Sequence, residues 1–184
     1  RAGEVCSSDG FRSAYVGDTG WQISGSWDNA TQLWDALMEA GSDLGIRATG
    51  GGVYGTSGRI EKGYRLQGAE LESEYNPLEA GLARPKVKSA DFIGKDAYLT
   101  AREAGDPEVL MCTMTVDDQT DSQGRIRWMQ GGNEPLCDMD GNTIMDSHQR
   151  VSRVTTAGYA PSVAKMVLMG YLPRDMAAAG TKIQ

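Results

Sequence analysis

The chain has 184 residues, a length that fits one large domain or two small ones. The net charge of −7 argues against nucleic acid as a partner, because phosphate contacts need clustered lysine and arginine. The longest apolar run, over 165–172, is too short to cross a bilayer, so no membrane partner is expected.

The cysteine and histidine content further limits the chemistry. Cys6, Cys112 and Cys137 include no CxxC pair and fit a reducing compartment. Residues 1–10 contain no apolar core of a signal peptide. These features predict a cytoplasmic location, or the mitochondrial matrix if the source is eukaryotic. His148 is the only histidine, so neither a zinc site nor a Ser–His–Asp triad is expected.

The first elements predicted along the chain are a hairpin and a helix. Apolar and polar residues alternate over 11–16 and 21–24, and turn residues at 17–20 separate them, which predicts a β-hairpin. Apolar residues then recur at helical spacing, which predicts a helix that ends at Gly41. The apolar face of this helix consists of Leu33, Trp34, Leu37 and Met38.

A glycine-rich stretch at 50–55 formally contains the GxGxxG pattern. A dinucleotide site needs a strand before that pattern, and no convincing strand precedes it here. We therefore interpret the stretch as a flexible lead into a short helix over 57–64. A further helix is predicted after 89–99 and ends near Gly105.

From Pro107 onward the pattern changes to short strands. Turn residues at 121–124 and 140–142 separate them, which predicts a small antiparallel β-barrel or sandwich. The predicted domains are an α+β segment over 1–88 and a linker helix with a C-terminal β-barrel over 89–184. The predicted strands are 109–116, 125–129, 151–155 and 166–172, and the core candidates are Leu110, Cys112, Met114, Trp128 and Leu168.

The most specific pattern lies in RIEKGYRLQGAEL at 59–71 and NPLEAGL at 76–82. Both resemble the signature of the aminomethyltransferase family, the folate-binding T-protein of glycine cleavage and its relatives. The Glu-Lys-Gly-Tyr centre is most similar to the folate domain of dimethylglycine and sarcosine dehydrogenases. Further family motifs at 15–22, 91–97 and 155–165 follow in the family's order, although Asp18 and Gln22 stand where the family has glutamate.

The resemblance implies part of the aminomethyltransferase folate-binding fold, followed by an antiparallel C-terminal β-barrel. It also implies tetrahydrofolate as cofactor, bound by Glu61 with Tyr15 and Tyr64. Glu61 is expected to be a buried carboxylate facing an internal cleft, where its two oxygens accept hydrogen bonds from the pterin edge. The residues alone leave open a surface glutamate paired with Arg59 or Arg65.

The family transfers a one-carbon unit from an amine-derived imine or aminomethyl group to N5 of folate. Its catalytic aspartate has no counterpart in these 184 residues, so no catalytic residue is assigned. The resemblance implies the C-terminal portion of a longer enzyme, with a missing N-terminal half or partner chain and an amine-derived one-carbon donor. FAD is expected only in an attached dehydrogenase domain. The alternative is a non-catalytic folate-fold module for assembly or regulation.

Overall fold

The computed structural model describes residues 8–84, 86–127 and 132–184. Its contacts divide the chain into two compact units, Arg1–Lys62 and Gly63–Gln184. The domain boundary predicted near 88 stays a prediction, because this division concerns compactness and falls earlier in the chain. Within the described ranges, no helix is long and apolar enough to cross a membrane.

The first unit begins with the predicted hairpin. Strand β1 (Ser8–Ser13) pairs antiparallel with β2 (Gly20–Gly25). The first strand ends three residues earlier than expected, so Tyr15 and Val16 lie in the connecting loop. Gly17 in this loop has φ +90°, and a side chain there would meet the Lys62 stem at 2.6 Å. Glycine is required at this position because it alone accepts both constraints without strain.

Helix α1 (Ala30–Ala40) follows a short 3-10 turn and stops at Gly41, as predicted. Three of its four predicted core side chains are half-buried, whereas Trp34 is 53% exposed. The apolar face of α1 is therefore only partly covered within this structure.

The second helical segment of this unit covers 51–61 and changes its winding along its length. It is π-helical over Val53–Gly58 and continues as the short α-helix α2 (Arg59–Glu61). The helix predicted over 57–64 thus begins earlier and ends earlier than expected. It ends at Glu61 because Gly63 takes φ +69°, the left-handed conformation that commonly follows a helix. Residues 46–50 are not a strand, which agrees with rejecting a dinucleotide site.

The second unit contains helix α3 (Lys95–Glu103) and a three-stranded antiparallel sheet. The sheet consists of β3 (Val109–Thr115), β4 (Val154–Ala160) and β5 (Lys165–Pro173), with β5 in the centre. The strands predicted at 109–116 and 166–172 are confirmed. The strand predicted at 151–155 lies further along, at 154–160. Of the one predicted at 125–129, Ile126 forms an isolated bridge with Thr120, and residues 128–129 fall outside the described ranges.

Three turns of the second unit share one aspartate-capped geometry, which accounts for two of the predicted turns. In each, the aspartate carboxylate accepts hydrogen bonds of 2.8–2.9 Å from the backbone N–H groups two and four residues on. The residue three positions on has a positive φ, which closes the turn. The aspartates are Asp121, Asp138 and Asp146, and the positive-φ residues are Gly124, Gly141 and Gln149.

The two faces of β3 pack into two different apolar clusters. Cys112 and Met114 join Leu168 against one cluster, because alternate residues of a strand share a face. Val109 and Met111 belong to the other. Leu110 is half-buried, and Trp128 lies outside the described ranges. The first cluster is Leu136, Ile144, Val154, Ala157 and Leu172; the second contains Ala80, Val109 and Tyr171. The fold is α+β with antiparallel sheets, as predicted.

Candidate functional site

Glu61 is the last residue of α2, and its side chain is exposed. The expectation of a buried carboxylate was wrong for this chain. Because successive helical residues point about 100° apart, the two residues before Glu61 turn inward instead. Ile60 is 0% exposed and Arg59 1% exposed, and Arg59 Nε donates to the Gly55 carbonyl at 2.8 Å. The proposed contact of Glu61 with a pterin stays a prediction.

The hairpin loop that carries Tyr15 packs on the helical segment that carries Glu61. A side chain at Gly58 would meet Val16 Cγ1 at 2.7 Å and the Val53 carbonyl at 2.8 Å, so glycine allows the loop to approach closely. The two motifs that the sequence singled out therefore meet within the first unit.

Tyr54 is a candidate residue that the sequence interpretation missed. Its ring contacts that of half-buried Tyr15, with centroids 5.0 Å apart and planes tilted by 40°. Tyr54 is itself 53% exposed, and it lies in the π-helical segment. Such segments are rare and occur frequently at functional sites. The available signal was an aromatic residue inside the glycine-rich stretch, which was interpreted only as a flexible lead.

Tyr64, the third predicted site residue, belongs to the second unit and is half-buried. After Tyr64, the signature stretch continues into a loop that is held in place by hydrogen bonds to Glu70. This carboxylate is 0% exposed and accepts hydrogen bonds from Leu66 N at 2.8 Å, Thr155 Oγ1 at 2.7 Å and Thr156 Oγ1. A buried carboxylate needs such donors to offset its lost hydration. Glu70 thus anchors this part of the signature to β4.

The NPLE part of the signature forms a reciprocal cap at the start of a helical turn. Asn76 Oδ1 accepts hydrogen bonds from the backbone N–H groups of Leu78 at 2.8 Å and Glu79 at 3.0 Å. Glu79 Oε2 accepts in return from Asn76 N at 2.8 Å. This is the capping-box arrangement, with Pro77 at the first helical position, where no N–H is needed.

Arg150 links this helical turn to the Asp146 turn of the second unit. Its guanidinium contacts Glu79 Oε1 at 2.6 Å and Asp146 Oδ2 at 2.5 Å, donates to the Glu74 carbonyl at 2.8 Å and lies 4.6 Å from the Tyr75 ring centroid. Burial opposes the charge on Arg150, but the hydrogen bonds that it donates to the Glu79 and Asp146 carboxylates outweigh this effect and raise its pKa. These contacts of Arg150 hold the NPLE part of the signature in place, so this part has a structural role that requires no ligand.

A cleft in the second unit is lined by 106–108, 145–147 and 173–175. It contains none of the three predicted site residues, so it is not the predicted folate site. Among the described residues, no group of His, Cys, Asp and Glu side chains is arranged to hold a metal ion.

Comparisons with known proteins identify the same family as the sequence motifs. Residues 6–88 match the model described as GCVT N-terminal domain, and residues 128–184 match the glycine cleavage T-protein C-terminal barrel domain. An aminomethyltransferase of Halothermothrix orenii is 35% identical over 94% of this chain and 43% of its own length. Human mitochondrial dimethylglycine dehydrogenase is 30% identical over 95% of this chain and 18% of its own length.

A solved structure gives the same result at the level of the fold. The glycine cleavage system aminomethyltransferase T from Bartonella henselae superposes with a TM-score of 0.74 at 26% identity. The match covers 94% of this chain and 43% of that one. The chain therefore spans less than half the length of these relatives.

Proposed function

Because the chain belongs to the aminomethyltransferase, or glycine-cleavage T-protein, family, we propose that it is part of a tetrahydrofolate-dependent one-carbon transfer enzyme. The observation that carries the proposal is the contact between the Tyr15 loop and the helical segment ending at Glu61. Each carries a motif of the family. Their contact brings an aromatic pair and an accessible carboxylate into one unit.

In the proposed site, the Glu61 carboxylate accepts two hydrogen bonds from the pterin edge, and Tyr15 and Tyr54 provide ring contacts. The predicted contact of Tyr64, which belongs to the second unit, stays a prediction. The exposure of Glu61 has a consequence for this role. A hydrogen bond that competes with bulk water contributes little net free energy, so the pterin edge must be shielded from solvent. A missing N-terminal half or a partner chain would supply the opposite wall.

The proposed substrate is an amine-derived imine or aminomethyl group, whose one-carbon unit passes to folate N5. General acid–base action needs a carboxylate within hydrogen-bond reach of the reacting nitrogen. We assign no such group in these residues and expect it in the missing half. In a protein similar to dimethylglycine or sarcosine dehydrogenase, FAD would belong to the attached dehydrogenase domain. The human relative is mitochondrial by name, which supports the mitochondrial matrix in a eukaryote and the cytoplasm otherwise.

A non-catalytic folate-fold module is the second candidate. Asp18 and Gln22 in the hairpin favour it, because they replace family glutamates with a shorter and a neutral side chain. Calorimetric titration with tetrahydrofolate distinguishes the two candidates, using the chain alone and joined to its upstream half. Saturable binding by the joined form, lost on Glu61→Gln, supports the enzyme. A joined form that folds and binds no folate supports the module.

A further inference from the structure

Lys62 follows directly after α2, and its side chain crosses the loop that carries Tyr15. A side chain at Gly17 would meet Lys62 Cδ at 2.6 Å and Lys62 Cγ and Cε at 3.0 Å. The lysine stem therefore lies along the Gly17 backbone over three consecutive carbons. Both residues belong to the first unit, so the contact lies within one compact part of the chain.

This contact fixes the place of the Lys62 ammonium beside the loop, because Nζ is one bond beyond Cε. The Lys62 backbone N–H donates to the Gly58 carbonyl at 3.3 Å, so its root still belongs to the last turn of the helical segment. Adjacent Cα atoms are about 3.8 Å apart, so the root lies next to that of Glu61, whose side chain is exposed. Within the part of the chain that the structure describes, the ammonium forms no ion pair or hydrogen bond.

The proposed ligand has a group at this edge that Glu61 cannot satisfy. The pterin edge presents two donors, the 2-amino group and N3–H, and then an acceptor, the carbonyl oxygen O4 next to N3. A carboxylate has acceptors only, so it matches the two donors and leaves O4 without a partner. A carbonyl shielded from water without a donor loses free energy. A lysine ammonium has three donors and no acceptor, which suits O4.

We infer that the Lys62 ammonium donates a hydrogen bond to pterin O4 and so selects 4-oxo pteridines of the folate type over 4-amino analogues. A 4-amino group would place a donor opposite the ammonium, and two donors that face each other repel. The inference rests on the proposed function and deepens it, because it names the class of pteridine that the site accepts.

The test titrates tetrahydrofolate and its 4-amino analogue, by calorimetry, into the chain joined to its upstream half. Lys62→Met keeps an unbranched stem for the Gly17 contact and removes the ammonium. We expect it to weaken tetrahydrofolate binding about 10-fold and to leave the analogue unchanged or tighter, so the preference for the 4-oxo ligand falls at least about 10-fold.

Two further variants separate charge from packing. Lys62→Arg retains a cationic donor and should keep most of the preference. Lys182→Met is the matched control, because the Lys182 side chain is 74% exposed in the second unit, and it should bind both ligands like the parent. A role of the Lys62 stem in packing alone would weaken both ligands by the same factor. Equal weakening, or an unchanged preference, in Lys62→Met overturns the inference.

A second measurement covers the case in which Lys62→Met folds poorly. Tetrahydrofolate labelled with carbon-13 at C4 is bound to the parent, and the C4 resonance is recorded by NMR. A hydrogen bond from an ammonium to O4 withdraws electron density from C4 and should move the resonance downfield of its free position. A C4 resonance that does not move on binding overturns the inference.

Failure of the proposed function gives a different result. A joined form that folds and binds neither ligand contradicts the function, and the contact with O4 with it. A joined form that binds tetrahydrofolate, loses it in Glu61→Gln and keeps its preference in Lys62→Met contradicts only the role of Lys62.

Discussion

The ring of Tyr15, in the loop after β1, lies against the ring of Tyr54, with centroids 5.0 Å apart. The pair is tilted by 40°, and Tyr54 remains 53% exposed, so a planar ligand can reach its ring. We expect Tyr54→Ala to weaken tetrahydrofolate binding about 5- to 10-fold in a form with the upstream half restored, because an aromatic contact contributes about 1 kcal/mol. Tyr54→Phe keeps the ring and should bind within about twofold of the parent.

Calorimetric titration measures this difference, and thermal unfolding of both variants shows whether the loop has moved. Equal folate affinity for the alanine variant and the parent would assign the Tyr15–Tyr54 contact to packing alone.

Glu61→Gln tests the pterin contact. The amide replaces one acceptor with a donor, which then faces a donor of the pterin edge. Hydrogen bonds to charged groups contribute about 1.5–3 kcal/mol, so folate affinity should fall roughly 10- to 100-fold. Glu103→Gln is the matched control, since Glu103 is likewise the exposed last residue of a helix. If Glu61→Gln binds as tightly as the parent, the surface ion-pair interpretation stands.

The 184 residues alone should form no methylenetetrahydrofolate from an aminomethyl donor. The proposed function places the acid–base carboxylate outside them, and loss of such a group costs about 10²–10⁴-fold in rate. The assay follows the folate product by absorbance after separation. Measurable turnover by these residues alone would refute the assignment and require a catalytic group among them.

Sequence periodicity predicted the elements that depend on local contacts. The strand predicted at 109–116 was found as β3. The turns predicted at 121–124 and 140–142 were correct because each turn is closed by its own aspartate. Contacts between residues that are far apart in the sequence leave no such pattern in the sequence. The hydrogen bond between Arg150 and Glu79 joins residues 71 positions apart. The burial of Glu61 was mispredicted because the helix changes its winding before this residue. The π-helical segment continues directly into α2, and this change decides which side chains face inward.

Gln149 occupies a position where its two equivalents are glycine. It has φ +63°, whereas Gly124 and Gly141 have φ +74° and +85° in the matching turns. A left-handed conformation costs a non-glycine residue about 1–2 kcal/mol. Gln149→Gly should therefore raise the free energy of unfolding by about 0.5–1 kcal/mol, after the added entropy of the unfolded chain is subtracted.

Urea unfolding measures the change, with Gly124→Ala as the reverse control. A side chain at Gly124 would meet nothing within 4 Å, so its cost is conformational only, about 1 kcal/mol. A destabilised Gln149→Gly variant would show that the Gln149 side chain makes a compensating contact.

Asp146 and Asp121 occupy the same position in two turns of the same geometry but differ in the exposure of their arginine partners. Asp146 and Asp121 each accept hydrogen bonds from an arginine four residues on, but Arg150 is 17% exposed and Arg125 72% exposed. Breaking a buried pair costs about 3 kcal/mol, whereas an exposed pair that is screened by solvent contributes far less. Asp146→Asn should therefore destabilise the chain far more than Asp121→Asn in urea unfolding at neutral pH.

The pH dependence of this difference has a definite sign. Burial disfavours the Asp146 carboxylate, but hydrogen bonds from the backbone and side chain of Arg150 outweigh it and hold the pKa of Asp146 below the ordinary 3.8. A lowered folded-state pKa contributes stability that is complete above the unfolded-state value and is lost as the pH falls through the folded-state value. The gap in unfolding free energy between the parent and Asp146→Asn should thus stay constant above about pH 5 and shrink below pH 3.8. A gap that is the same at pH 3 and pH 7 would mean that Asp146 acts by shape and hydrogen bonding rather than by charge.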